Sequence, residues 1–179
     1  MSTAEAPARD TPSLGSVVNR IAGLLAHSGG VLSAGDVAAL RRMDPHKPAA
    51  AFFKIVGLVL EYQLPGQANA RQEYETRWSA IIVGLAFLGD LHRPGLNFGR
   101  ALVEAGFSEL RFSRLLRADA DRLVDELPML ARFLTAKGVP TDWEQAAWLI
   151  LSADRTDEEV ARRNLARDYY SGLAKKTNT

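Results

Sequence analysis

Apolar residues recur three and four positions apart along almost the whole chain, and no stretch alternates apolar and polar for the length of a strand. That period gathers apolar side chains on one face of an α-helix. The chain also lacks the Asn-Gly and Asp-Gly pairs that turn hairpins. An all-α fold is therefore expected: two small helical bundles, about eight or nine helices and no sheet. With 47% hydrophobic residues in 179, there is enough apolar surface for a core.

Local signals divide the pattern into elements. A first helix is expected from about Leu14 to His27, stopped by Ser28-Gly29-Gly30. Ser33, followed three residues later by Asp36, has the form of an N-cap opening a helix that ends on Arg41-Arg42. A third helix begins at Pro48, where the missing N–H costs nothing, and runs to about Tyr62. A fourth spans Gln72 to His92 and is apolar nearly all round in its later half, which places it at the centre. Short helices follow at Phe98–Glu104 and Ser108–Arg117. Asp119 caps a long helix to Lys137 that contains Pro128. Thr141-x-x-Glu144 and Thr156-x-x-Glu159 read as capping boxes opening the last two helices, to Leu151 and Lys175. Arg93-Pro94-Gly95 marks the boundary between an N-terminal bundle (14–95) and a C-terminal one (96–175), with a disordered tail at 1–13 and a short tail at 176–179.

The residues offer little for catalysis. There is no cysteine, which removes disulfides, thiolate metal sites and a thiol nucleophile together and fits a cytoplasmic protein. His27, His46 and His92 lie far apart and form no metal-ligand spacing. Phosphate-loop, dinucleotide-fold and nucleophile-elbow motifs are absent. Asp154, Asp157, Glu158 and Glu159 cluster where a helix begins, which suits the helix dipole better than a metal. The expectation is a non-enzyme with no cofactor and no metal. The longest apolar run, Trp78 to Gly89, is far below the roughly 20 residues of a membrane span.

Charge is balanced, 22 basic against 21 acidic residues, but 17 of the basic residues are arginine. A guanidinium presents a planar fork of donors that matches phosphate and stacks on bases. Position then matters. In the short helix near Ser108, Arg111, Arg114 and Arg117 fall within an arc of about 120°, while Phe112, Leu115 and Leu116 occupy another. In the last helix Arg163, Arg167 and Tyr170 share a face, an arrangement that can hold phosphates and stack an unpaired base. Glu159 stands four residues before Arg163 and can pair with it, whereas Arg111 and Arg114 have no acid at that spacing.

Several segments, in order, resemble one family. They are Ala39-Leu40-Arg41-Arg42 followed by Phe52-Phe53, Leu96-Asn97-Phe98-Gly99-Arg100-Ala101-Leu102, Arg111-Phe112-Ser113-Arg114-Leu115-Leu116-Arg117-Ala118-Asp119, Arg132-Phe133-Leu134, Asp142-Trp143, and Ala161 through Tyr170. Together they are similar to CasB, the small subunit of the type I-E CRISPR surveillance complex Cascade. The resemblance implies an all-helical, non-catalytic subunit present in two copies joined head to tail. Its implied partners are the backbone and large subunits, the guide RNA and the target DNA, above all the displaced single strand. Arg41 and Arg42 match a basic pair, Arg111 and Arg117 the ends of an R-x5-R-A-D segment, and Arg162 or Arg163 a basic position in the last helix. Where some relatives carry a further base after R-A-D, this chain has Ala120, and Arg122 stands in from one side. Leu102, Phe133, Trp143 and Trp148 are expected in the core.

The expected function is sequence-independent nucleic-acid binding through Arg41, Arg42, Arg111, Arg114, Arg117, Arg122, Arg162, Arg163 and Arg167. Two other readings compete with it. One is a helical protein–protein adaptor that binds no nucleic acid; the other is a helix-turn-helix regulator built on Phe98–Arg117.

Overall fold

A computed structural model describes residues 12–27 and 29–178. Of the expected tails, residues 1–11 and 179 lie outside the described residues, as does Ser28 of the first helix stop. The described residues contain nine α-helices and no sheet: α1 Leu14–Ala26, α2 Ala34–Arg41, α3 Ala50–Ile55, α4 Ala68–Leu88, α5 Phe98–Glu104, α6 Glu109–Leu115, α7 Ala120–Lys137, α8 Glu144–Leu151 and α9 Glu158–Thr177. The fold is all-α, as the periodicity requires. No helix among the described residues is long and apolar enough to cross a membrane.

Helix starts follow local caps where a short polar side chain stands in the right place. Ser33 and Asp36 form a reciprocal capping box at α2. Asn97, Ser108 and Asp119 each accept the backbone N–H three residues on, so α5, α6 and α7 begin where these caps stand. Two expected boxes do not form. Thr141 is fully buried, and its hydroxyl donates to the carbonyl of Leu96 (3.3 Å); Asp142 caps α8 instead, accepting from the N–H of Glu144 (2.9 Å). Thr156 stands too early, because α9 starts at Glu158. Glu158 accepts from the backbone of Asp154 (2.8 Å), and Glu159 pairs with Arg163. The third helix begins at Ala50 rather than Pro48 and widens into a π-helical turn at Val56–Leu60 that still buries Val56, Val59 and Leu60. α4 starts four residues before Gln72, and α9 continues two residues past Lys175.

α4 is the axis of the molecule. Every residue from Arg77 to Ala86 is buried, which explains why the sequence there is apolar on all sides. Its main partner is α7, and α5 lies along α9. The core therefore runs across the turn at Arg93–Gly95. That turn is fastened by the segment before α8. Thr141 exchanges backbone hydrogen bonds with Leu91 and Arg93 (2.9 Å each), and Asp142 accepts from the N–H of Gly95 (2.7 Å). Trp143, fully buried, donates its indole N–H to the carbonyl of Ile81 (3.1 Å) and meets Phe98 edge-on at 5.4 Å. Gly84 makes room for it, since a β-carbon there would lie 2.6 Å from Trp143 Cε2.

One cation joins this core. Arg77 of α4 is 2% exposed and donates to the carbonyls of Ile150 (3.1 Å) and Ala153 (2.7 Å) at the end of α8, with Glu73 and Asp154 as counter-charges. Its partners hold the chain at Asp154, which adopts a left-handed conformation (φ 62°). Periodicity gives no reason to single out Arg77, because nothing local distinguishes a buried arginine from an exposed one.

Candidate nucleic-acid interface

Arg111 and Arg122 both stand at the third position of a capped helix, one turn inside α6 and α7. Ser108 and Asp119 thus fix where these arginines leave the backbone. Between the two helices lies a groove of about 170 Å³ lined by Arg111, Arg114 and Arg122 around Phe107, Met129 and Leu130, with Glu126 the one carboxylate. The guanidinium of Arg111 rests over Phe107 (4.5 Å) and Phe133 (5.3 Å), which meet each other edge-on at 5.7 Å. Such contacts are worth about 0.5–1 kcal/mol each at an exposed site and hold the planar fork in one orientation. Phe133 is half-buried: it packs against the edge of the core and also serves as the seat of Arg111.

Arg114 is exposed and makes no ion pair among the described residues. Arg122 is held by Glu126 at 2.7 Å, a carboxylate on the next turn of its own helix. Arg117, two residues past the end of α6, is exposed, and its Nε donates to the carbonyl of Ser113 (3.1 Å). Three of the arginines singled out in the sequence are thus brought into one groove, and a fourth, Arg117, stands in the turn that follows α6.

On the other side of α7 a second pair gathers. Arg132 lies over the ring of Phe87 at 4.4 Å, and Arg41 donates its Nε to the carbonyl of Ala86 at 2.7 Å. Arg41, Phe87 and Thr135 line a common cleft. Arg132 is not among the expected site residues; the only signal for it is its place beside Phe133 on α7, because its partner Phe87 is distant in sequence. Arg42 ends α2, exposed and without an ion pair among the described residues.

The arginines of α9 separate into two kinds. Arg162 turns inward, with its side chain 18% exposed, and donates to the carbonyls of Leu116 (2.5 Å) and Ala118 (2.7 Å) while pairing with Glu158 (2.5 Å). The paired guanidinium holds the carboxyl of Glu158 below its ordinary range. Arg163 is exposed and pairs with Glu159 (2.6 Å), and Arg167 donates to Asn164 (3.4 Å). Tyr170 is 40% exposed, its ring edge-on to Phe112 (5.9 Å) and to Tyr169 (5.4 Å). Phe112 and Tyr169 stack in parallel at 3.7 Å, and this joins α6 to α9 beneath the arginine face.

The acidic residues near 154–159 are taken up structurally: Asp154 by Arg77, Asp157 by the indole of Trp148 (3.4 Å), Glu158 by Arg162, Glu159 by Arg163. Among the described residues no group of three or more His, Asp and Glu side chains could hold a metal ion. The histidines are equally engaged. His27 bonds to the carbonyl of Gly23 (2.8 Å), His46 to Asp125 (3.0 Å), and His92 lies between Asn19 and the backbone of Trp143.

No curated protein and no solved structure matched the chain in comparisons with both sets. A family model described as CRISPR-associated protein Cse2 matches residues 36–170, which include α6, α7, the groove between them and all nine expected arginines. The chain belongs to the Cse2 family of CRISPR-associated proteins.

Proposed function

We propose that this Cse2-family chain is a non-catalytic, sequence-independent nucleic-acid-binding subunit of a cytoplasmic CRISPR surveillance complex, in which it steadies the guide RNA–target DNA R-loop and its displaced strand. The observation that carries the reading is the α6–α7 groove, where Arg111, Arg114 and Arg122 surround an apolar floor. Arginines suit phosphates, an apolar floor suits an unpaired base, and neither selects a sequence. In an RNA-guided complex base pairing reads the target, so a subunit of this kind needs only backbone and stacking contacts. Arg132 and Arg41 continue the positive surface past α7, and Arg163, Arg167 and Tyr170 offer further contacts on α9. The partners in this reading are the guide RNA and target DNA, the backbone and large subunits, and a second copy joined head to tail.

The test is fluorescence anisotropy of labelled single-stranded DNA titrated with the protein at several salt concentrations. Binding is expected to be independent of sequence and to weaken steeply with salt. Arg111→Ala, Arg114→Ala and Arg122→Ala combined are expected to flatten the log–log salt slope by about 0.7 for each phosphate no longer neutralised. An unchanged slope would remove the groove from the binding surface. Absence of binding at low salt favours the adaptor, and a preferred duplex sequence favours the regulator.

A further inference from the structure

A second cleft, of about 500 Å³, is built from the start of α1, the approach to α5 and the first two turns of α8. Leu14, Leu96, Phe98 and Trp148 give it apolar walls, Glu144 and Gln145 its polar groups, and no basic residue lines it. We infer that this cleft receives an arginine side chain presented by a partner protein.

The charge is of one sign. Asp142, at the rim, has both oxygens occupied by backbone donors, the N–H groups of Gly95 (2.7 Å) and Glu144 (2.9 Å). Glu144 forms no ion pair among the described residues. Its carboxylate lies flat against the first turn of α1, where Gly15 allows the approach: a β-carbon at that position would fall 2.6 Å from Oε2. A helix N-terminus favours negative charge there. Gln145 stands beside it. Its Nε2 donates to Asp168 (2.7 Å), which fixes the amide and leaves Oε1, a buried oxygen, with no donor.

The missing group must bring positive charge and several N–H donors, and it must lie flat beside an indole. Trp148 is one turn from Glu144 on the same helix face. A guanidinium supplies a fork for the Glu144 carboxylate and a plane for Trp148; an ammonium supplies charge without the plane. The apolar walls fit the aliphatic stem of an arginine carried by a polypeptide. Leu96, 41% exposed, extends that apolar surface to the rim for the residues on either side. The negative rim repels phosphate, so this surface addresses a protein and stands apart from the arginine groove.

The probe is the peptide acetyl-Gly-Arg-Gly-amide, titrated into the full chain and followed by the indole N–H signals of its three tryptophans, Trp148 being assigned with Trp148→Phe. A saturable shift of the Trp148 signal is expected, with millimolar affinity. The citrulline peptide, equal in shape and uncharged, is expected to give none. Glu144→Gln is expected to weaken binding at least roughly fivefold, while the unmoved Trp78 and Trp143 signals show that the variant is folded. The inference is overturned by any of three results: no saturable shift, equal binding of the citrulline or lysine peptide, or unchanged affinity in Glu144→Gln.

Discussion

Arg162 on α9 donates to the main-chain oxygen of Ala118 at 2.7 Å, and so holds the corner where α6 gives way to α7. The same guanidinium serves Leu116 and Glu158. Truncating it removes a donor from two carbonyls and from one oxygen of Glu158, whose other oxygen keeps the N–H of Asp154. Arg162→Ala is therefore expected to lower stability by about 2–3 kcal/mol in urea denaturation. Arg163→Ala, which breaks one solvent-exposed ion pair, is expected to stay within about 0.5 kcal/mol of the parent. The two neighbours separate in the binding assay as well. Under conditions where it is folded, Arg162→Ala should keep the parent's salt slope; a stable variant with a flattened slope would move Arg162 to the binding surface.

Glu126 is the carboxylate inside the arginine groove, and it holds Arg122 at 2.7 Å. A phosphate entering the groove competes with that ion pair and meets its negative charge. Glu126→Gln keeps the shape and removes the charge. Single-stranded DNA should bind this variant about fivefold more tightly at low salt, corresponding to about 1 kcal/mol of relieved repulsion. The gain should shrink as salt rises. Affinity at or below that of the parent would mean that the strand does not enter between α6 and α7.

Arg132 tests whether the track crosses α7. Its guanidinium is stacked on Phe87 rather than paired with an acid. Arg132→Ala should reduce the salt slope by about 0.7 on single strands, the share of a single phosphate, with little effect on stability. An unchanged slope confines binding to the α6 side.

The sequence makes the fold legible wherever cause and effect are close along the chain. Asn97, Ser108 and Asp119 cap α5, α6 and α7 within three residues, and those helices begin where the caps predict. Thr141 and Thr156 show the limit. Both fit a capping pattern, but Thr141 is drawn into the core by Leu91, Arg93 and Leu96, partners some 45 to 50 residues away that no local pattern encodes. The groove divides in the same way. Arg111 and Arg114 are visible as one face of one helix, whereas Glu126 entering beside them and Phe133 lying beneath Arg111 depend on α7 folding back alongside α6. Arg77 and Arg162 are invisible as structural residues, because the carbonyls they satisfy lie 44 to 76 residues away.

His92 links the two halves of the chain and makes the link sensitive to pH. Its Nε2–H donates to Asn19 (2.9 Å), and its Nδ1 accepts the backbone N–H of Trp143 (3.2 Å), so the neutral ring fits and a proton on Nδ1 does not. Burial pushes its pKa below the ordinary 6.5, with Asp142 opposing weakly. A base with a lowered folded pKa takes up protons more readily when unfolded. Its contribution is therefore complete above about pH 6.5 and is lost as pH falls through the lowered value. The acids act further down: Asp36 is held at about 2 by the Ser33 backbone and Lys54, so its share is lost between its ordinary 3.8 and about 2. Unfolding midpoints measured from pH 8 to 5 should fall for the parent and fall less for His92→Gln. Parallel curves would show that His92 does not titrate on unfolding.

At Gly99 and Gly84 neighbouring atoms leave no room for a β-carbon, and the two positions test whether the chain folds as one unit. A β-carbon at Gly99 would lie 2.8 Å from the backbone nitrogen of Tyr169 and 3.0 Å from the carbonyl of Leu165, neither of which can swing aside. At Gly84 the obstacle is Trp143, fully buried and fixed by its bond to Ile81. Gly99→Ala and Gly84→Ala should each cost about 1–3 kcal/mol through overpacking. The manner of unfolding matters as much as the size of the cost. Gly84 lies before the Arg93–Gly95 turn and Trp143 after it, and the core is continuous between them. Urea unfolding followed by helix content and by tryptophan emission should give a single coincident transition in the parent and in both variants. Two separated transitions, with Gly84→Ala shifting one alone, would instead show two bundles that unfold independently at that turn.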